Sequence, residues 1–177
     1  MARIRKSFIL VFIIIFLGVS CNMKQLYNDP ALSKEQMLHL VKQGAYLYRY
    51  LCTGGEDAKP YENDFSTIII TDEKINSKEK IVNLLTEIYT EKAAKDIYNS
   101  LMFKEENGQL LKPNAEYVFT EIWDKITIKK FFYKDNKIIA VFEVPQEVGA
   151  EIYEPRLIEV EYVLNDNKEW KLNTIVT

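Results

Sequence analysis

The sequence has little of the chemistry on which most enzymes depend. Its 177 residues include one histidine, His39, and two cysteines, Cys21 and Cys52. A zinc site made from the usual nitrogen and sulfur ligands needs about four such side chains. Six glycines leave little material for phosphate-binding loops, and the sequence contains no phosphate-loop, dinucleotide-binding or zinc-protease motif. It therefore predicts no cofactor, no metal and no catalytic residues.

Basic residues are also few once the N-terminus is set aside. Arg3, Arg5 and Lys6 are the only charges before residue 21, and the rest of the chain carries 20 basic and 26 acidic residues. The resulting net charge of −6 argues against nucleic acid or anionic lipid as the main partner. The basic-aromatic run at residues 129–134 is predicted to be a strand whose charged flanks discourage edge pairing.

The first twenty residues have the form of a secretory signal peptide. Three basic residues precede an unbroken apolar run at residues 8–17. Such a run is typical of a signal peptide and is shorter than the roughly 17–25 residues of a spanning helix. Residues 17–21 resemble the lipobox of bacterial lipoproteins, although Leu17 lies one position farther from Cys21 than usual. We expect export, with Cys21 lipidated at the outer face of the membrane; conventional cleavage and secretion into the cell wall are the alternative.

Amphipathic helices are predicted in the first half of the chain. Ser33 opens a capping-box pattern, and apolar residues then recur at spacings of three and four as far as Cys52. Two shorter helices are predicted to begin after Ser77 and Thr90. His39 lies off the apolar stripe of the first helix and is expected to face water, whereas Cys52 ends the stripe and is expected to be buried.

Strand patterns dominate from residue 102 onward. Asn107-Gly108 predicts a tight hairpin, and helices followed by strands predict an α+β fold with N-terminal amphipathic helices packed on a C-terminal antiparallel β-sheet. No composition break divides the chain after a tether at residues 21–32, so residues 33–177 are predicted to form one domain. A short strand or extended segment is predicted at residues 65–71, and longer strands are predicted at residues 125–133, 137–144, 157–164 and 169–176.

Two acidic connections are the candidate partner-binding surfaces. Residues 54–64 and residues 145–155 each carry a net charge of −3 and are expected to be loops with an apolar or aromatic tip. Acidic loops on a rigid scaffold suit a basic cleft on another protein, and solvated loops without function are the alternative. The candidate residues are Glu56, Asp57, Tyr61, Glu62 and Asp64 in the first segment and Glu147, Glu151, Tyr153 and Glu154 in the second.

Paired carboxylates are the remaining candidates for catalytic residues. Glu116 and Glu121 lie near Tyr117 and Trp123, and a glycoside hydrolase would need one of these acids buried beside another. Solvated acids next to core aromatic residues account for the same pattern.

A series of short segments, considered together, carries a family resemblance. They are Ala45-Tyr46-Leu47-Tyr48, residues 78–90 leading into 91–101, Asn107-Gly108 followed by Leu111-Lys112-Pro113-Asn114, Thr120-Glu121-Ile122-Trp123, Phe142-Glu143-Val144-Pro145 and Trp170-Lys171-Leu172. In order and spacing, over about residues 33–176, they resemble the IseA family, secreted inhibitors of bacterial cell-wall DL-endopeptidases.

The resemblance implies a function that needs no catalytic residues in this chain. It implies non-covalent inhibition of NlpC/P60-type enzymes, whose Cys-His sites cut the peptide stems of peptidoglycan, and hence restraint of autolysis. A cystatin-like or NTF2-like lipoprotein module that binds a small ligand is the alternative. It predicts a deep apolar pocket, whereas an inhibitor predicts a protruding acidic feature or a cleft lined by one.

Overall fold

The computed structural model describes residues 31–62, 64–134 and 136–177. Within them, Leu32–Thr177 forms one compact unit. The predicted signal peptide, Cys21 and the tether as far as residue 30 lie outside the described residues, so export and lipidation stay predictions. None of the helices in the described ranges combines the length and the apolar content that crossing a membrane requires.

The first helix, α1, runs over Lys34–Thr53 and begins as the sequence predicts. The Ser33 hydroxyl accepts a hydrogen bond from the Gln36 backbone N–H, and the Gln36 side chain accepts one from the Ser33 N–H. This capping box satisfies two N–H groups that the helix itself leaves unpaired. Gly54 ends the helix in the left-handed conformation, with φ +83°.

Two short helices follow the first pair of strands. Helix α2 covers Lys78–Thr86 and helix α3 covers Glu91–Ser100. The Ser77 and Thr90 hydroxyls accept hydrogen bonds from backbone N–H groups in their first turns, which confirms both predicted starts. Because helices this short are marginal alone, their buried faces stabilise them. The buried side chains are Ile81 and Leu85 in α2, and Ala93, Ala94, Ile97 and Tyr98 in α3.

The strands of the described residues form two antiparallel sheets of four, where the sequence predicted one. The first sheet contains β1 (Ala58–Tyr61), β2 (Asp64–Ile70), β3 (Lys104–Glu106) and β4 (Gln109–Pro113) in the order β1-β2-β4-β3. The predicted Asn107-Gly108 turn joins β3 to β4, with φ +50° and +74°. Since β1 and β2 precede α2, helices and strands alternate more than the sequence indicated.

The second sheet contains β5 (Thr127–Lys134), β6 (Lys137–Val148), β7 (Glu151–Leu164) and β8 (Trp170–Leu172) in chain order. A turn of 3-10 helix, Trp123–Lys125, precedes β5, so β5 begins later than predicted. Strand β8 stops at Leu172, although the alternation continues to residue 176.

Helix α1 packs on the second sheet and shares its core. The Tyr162 hydroxyl donates a hydrogen bond to the Met37 carbonyl, at 2.9 Å, between two fully buried residues. At Gly44 an added Cβ would lie 2.6 Å from the Tyr89 hydroxyl, so only glycine permits this approach. The hydrophobic cluster continues from α1 to both sheets and the short helices. These contacts confirm the α+β class.

Candidate functional site

The second acidic segment is not a loop. Strands β6 and β7 continue through it, with Gln146 paired to Tyr153 and Val148 paired to Glu151. The prediction of a loop over residues 145–155 is therefore wrong, and the segment is a β-hairpin, called here the acidic hairpin. Its two-residue turn, Gly149-Ala150, has φ +63° at Gly149, as a type II′ turn requires at its first position.

Two prolines explain why this extension is hard to see in the sequence. Pro145 and Pro155 suggest a break, because proline cannot donate to a strand ladder. Here the register shifts between Val144 and Gln146, opposite the region that contains Pro155, so both prolines lie at a β-bulge. A bulge leaves residues unpaired and lets the strands continue beyond it.

The acidic hairpin combines charge with exposed apolar surface. Every residue from Glu147 to Leu157 is exposed, and the Ile152 side chain is 85% exposed. The Tyr153 hydroxyl donates a hydrogen bond to the Glu151 carboxylate at 2.8 Å, and this bond raises the pKa of Tyr153. Glu147, Glu151 and Glu154 therefore surround side chains that can be buried against a partner.

A third segment supports the base of the hairpin. The Ile122 N–H donates to the Pro145 carbonyl, and the Glu147 N–H donates to the Thr120 carbonyl, both at 2.8 Å. Glu121 thereby forms an isolated antiparallel bridge with Gln146. Residues 120–122 act as a short extra strand along β6, which stabilises the hairpin beyond the bulge.

Glu121 cross-links this base to the rest of the molecule. Its carboxylate lies 3.7 Å from the Arg49 guanidinium of α1 and 3.3 Å from the Arg156 guanidinium of β7. Arg49 also donates to the Glu121 carbonyl at 2.5 Å and lies over the Phe119 ring. Only 12% of the Glu121 side chain and 25% of the Arg49 side chain are exposed, so water screens this ion pair less than it would at the surface, whereas 47% of the Arg156 side chain is exposed.

The two arginines were not among the residues predicted from the sequence, although the sequence contains a signal for them. Arg49 and Arg156 are the only arginines after residue 5, and both contact Glu121. Guanidinium groups are favoured over ammonium groups where a carboxylate is partly buried. Two isolated arginines in a lysine-rich chain therefore indicated a specific contact, but not with which carboxylate.

The first acidic segment belongs to the other sheet and is only partly a connection. Residues 58–61 form strand β1, so the prediction of a loop over residues 54–64 is wrong for this stretch. The sequence AKPY has no apolar alternation, and it becomes a strand only because it pairs with β2. Tyr61 pairs with Asp64, whose side chain lies outside the described residues, and Glu62 turns the chain with φ +50°.

Asp72 organises the beginning of this first segment. It accepts hydrogen bonds from the backbone N–H groups of Glu56 and Lys74 and from the Tyr50 hydroxyl. The bond from Glu56 is the largest cause that holds the pKa of Asp72 below its ordinary value. Glu56 forms an exposed ion pair with Lys74, and the Asp57 carbonyl accepts a hydrogen bond from Thr71. Some polar groups of the first segment therefore form hydrogen bonds or ion pairs within the protein.

The described residues do not bring together the groups that catalysis would need. Glu116 is exposed, and Glu121 faces two arginines instead of a second acid. The Cys52 thiol is buried, which raises its pKa, while His39 is exposed on the same helix, as predicted. The described part of the chain has no group of three or more histidine, cysteine, aspartate or glutamate residues that could hold a metal.

The pockets also differ from the deep apolar cavity that a small-ligand module predicts. One pocket of about 280 Å³ contains Tyr61, Met102 and Leu111 together with the Lys104–Glu106 ion pair. Another, of about 330 Å³, lies around the Asn107-Gly108 turn. Both are open and lined partly by charged groups. The acidic hairpin therefore remains the most prominent candidate for binding a partner.

Comparison with known proteins gives one match that covers most of the chain. The family model described as IseA DL-endopeptidase inhibitor matches residues 28–176. A search of curated proteins finds none that matches. The matched range contains the acidic hairpin, the residues of its base and both sheets.

Proposed function

The chain belongs to the IseA family of DL-endopeptidase inhibitors, and we propose that it inhibits NlpC/P60-type peptidoglycan endopeptidases by placing its acidic hairpin in their catalytic cleft. Inhibition is non-covalent and restrains autolysis. The observation that carries this proposal is the exposed acidic hairpin, held on a base that Glu121 cross-links to α1 and β7.

The hairpin suits inhibition because its conformation is fixed before binding. A preformed ladder avoids much of the entropy that a loop would lose when it becomes ordered in a cleft. The three glutamates steer the hairpin toward a basic surface, and Val148, Ile152 and Tyr153 offer apolar contact area once water is displaced. The glutamates thus speed association with the enzyme, and the apolar side chains strengthen binding. Neither contribution requires a chemical reaction.

We propose further that the protein acts outside the cell and is anchored through a lipidated Cys21. The support is the basic-apolar-small pattern of residues 1–21 and its resemblance to a lipobox. Lipid attachment would keep the inhibitor at the outer face of the membrane, because two or more acyl chains hold a protein firmly. Mass spectrometry of the exported protein decides between a diacylated Cys21 and an unmodified N-terminus.

The inhibition is tested with purified residues 22–177, an NlpC/P60 endopeptidase and isolated peptidoglycan. The informative variant is Glu147→Lys/Glu154→Lys, which reverses two charges of the hairpin and keeps the Tyr153–Glu151 hydrogen bond. Its matched control is Glu56→Lys/Glu62→Lys in the first acidic segment. We expect the hairpin variant to raise the inhibition constant at least about tenfold, about 1.4 kcal/mol, and the control to change it less than about twofold.

Two results would contradict the proposal in different ways. If residues 22–177 leave several NlpC/P60 enzymes fully active, the inhibitor function is wrong. If inhibition occurs but only the first-segment variant weakens it, the hairpin is not the contact. Inhibition that neither variant changes would remove the electrostatic account, and added salt, which screens charges beyond about 10 Å at 0.1 M, would then have no effect either.

A further inference from the structure

The second sheet has a basic edge that the inhibitor function does not use. Residues 125–137 contain five lysines and a single acidic residue, Asp135, in a chain with a net charge of −3. Lys125, Lys129, Lys130 and Lys134 are exposed, as are the aromatic rings of Phe132 and Tyr133. These six side chains are called the basic flank.

The charges of the basic flank are only partly neutralised. Lys129 forms an ion pair with Glu143 at 2.8 Å. Among the described carboxylates, none lies within ion-pair distance of Lys125 or Lys130. Strand β5 is also an edge of its sheet, so no further strand of the described residues covers its outer side. The flank thus presents lysines and aromatic rings together to the surroundings.

The folded unit begins beside this flank. Leu32 is buried, Ser33 caps α1, and the Lys34 ammonium lies 5.7 Å from the centre of the Phe131 ring on β5. Ten residues of chain lie between Cys21 and Leu32, a contour of at most about 40 Å. An anchor at Cys21 would therefore be attached to the molecule at the basic flank.

The acidic hairpin lies far from this attachment point. Phe131 pairs with Ala140 on β6, and β6 continues from there for eight residues to Val148 at the hairpin turn. At about 3.4 Å per residue, this distance is about 27 Å along the strand. It exceeds the Debye length of about 8–10 Å at 0.10–0.15 M salt, so a charged surface beside Lys134 is screened from the hairpin turn. Lys125 and Lys129 lie nearer the hairpin, because Thr127 pairs with Glu143.

We propose that the basic flank binds the anionic headgroups of the membrane to which Cys21 is attached, and that the turn of the acidic hairpin stays off the lipid. The inference rests on the anchoring proposed above. The net charge of the chain disfavours anionic lipid as the main partner, but the local charge decides which side of a tethered protein faces the surface. Lysines attract an anionic surface, and exposed tyrosine and phenylalanine rings insert at the headgroup level.

The test uses residues 22–177, which retain the whole compact unit Leu32–Thr177. The fragment is sedimented with vesicles of phosphatidylcholine alone or of phosphatidylcholine with phosphatidylglycerol, at low ionic strength. We expect binding only where phosphatidylglycerol is present. Each exposed lysine should contribute about fivefold to the partition coefficient, so Lys130→Gln/Lys134→Gln should lower it about 25-fold.

The matched control is Lys92→Gln/Lys95→Gln, which removes two exposed lysines from α3 and should change the partition coefficient less than about twofold. An environment-sensitive fluorophore on Thr127→Cys should shift to the blue on anionic vesicles, whereas one on Ala150→Cys should not. Equal loss in the two lysine variants, binding without phosphatidylglycerol, or a shift at residue 150 would overturn the proposal. Inhibition of the endopeptidase is measured separately, so either proposal can fail alone.

Discussion

At the scale of single residues, Glu121 joins three parts of the molecule through one carboxylate. Arg49 reaches it from α1 and Arg156 from β7, while its backbone bridges to β6. The Glu121 side chain has little contact with water. If its carboxylate were removed, water would therefore not replace the lost negative charge. The direction in which the acidic hairpin points therefore depends on this one residue more than on any of the three glutamates near the hairpin turn.

Substitution of Glu121 by glutamine should destabilise the fold and weaken inhibition together. Two guanidinium groups then lose their counter-charge, and we expect the free energy of unfolding to fall by about 1–2 kcal/mol. The control is Glu143→Gln, which breaks the more exposed ion pair with Lys129 and should cost less than about 1 kcal/mol. Urea unfolding of both variants measures the difference. If both variants lose the same free energy of unfolding, the ion pairs of Glu121 contribute no more than an exposed ion pair does.

Lys112 illustrates a residue whose environment the sequence could not reveal. A lysine in a predicted strand is expected to face water, yet this one is 1% exposed. Its ammonium donates to the Cys52 carbonyl at the end of α1, at 2.7 Å, and lies over the Tyr117 ring. It satisfies a carbonyl that the helix end leaves unpaired, while burial lowers its pKa. This contact joins residues 60 positions apart, which no local pattern encodes.

At the scale of elements, local chemistry predicted the helices better than the strands. Ser33, Ser77 and Thr90 each mark a helix start in the sequence, and the structure confirms all three caps. A cap is a contact over three residues, so the sequence contains it directly. The strands depend on distant pairing. Residues 58–61 became a strand through β2, and the acidic hairpin is stabilised by residues 120–122.

The turn of the acidic hairpin permits an element-scale prediction with an internal control. Gly149→Ala and Gly108→Ala both place a side chain at positive φ in a two-residue turn, and no atom lies within 4 Å of either added Cβ. Each should lose about 1 kcal/mol of unfolding free energy, measured with urea, because only the backbone conformation is strained. Only Gly149→Ala should also raise the inhibition constant. A loss of about 1 kcal/mol in binding corresponds to about a fivefold increase. If Gly108→Ala has the same effect on inhibition, the β3–β4 turn also contacts the enzyme.

At the scale of the whole molecule, the acidic hairpin and the lysine at the end of β5, Lys134, lie at opposite ends of one sheet, while Lys125 lies nearer the hairpin. Strand β6 begins at Lys137, next to the basic flank, and ends at Val148 in the acidic hairpin. The chain is acidic overall, and composition alone cannot show this separation. The sequence predicted which residues are acidic and which are basic. It could not predict their distance, because that depends on β6 continuing past a bulge at Pro145.

Tyrosines with raised pKa values contribute to the response of the whole fold to alkali. Desolvation is the largest cause that raises the pKa of Tyr48 to about 12, and it also raises the pKa values of Tyr89 and Tyr162. The folded state therefore holds these protons where the unfolded chain, with a pKa near 10, has released them. Their contribution to stability is complete below pH 10 and is lost as the pH rises through the folded values. Lys112 acts oppositely: its folded pKa is lowered, so stability increases as the pH rises toward its unfolded value.

Tyr48→Phe separates one of these groups from the others. Above pH 10 the wild-type protein should lose stability steeply, and the variant should lose less, by about 2 kcal/mol at pH 12, because each pKa unit corresponds to about 1.4 kcal/mol. The measurement is the urea midpoint between pH 8 and pH 12. Tyr133→Phe is the control, because it removes the same hydroxyl from a ring that is 58% exposed and lies outside the core. Lys112 is unchanged in both variants, so its opposing effect cancels in the comparison. Parallel curves for Tyr48→Phe and the wild type would mean that Tyr48 titrates alike in the folded and unfolded chains.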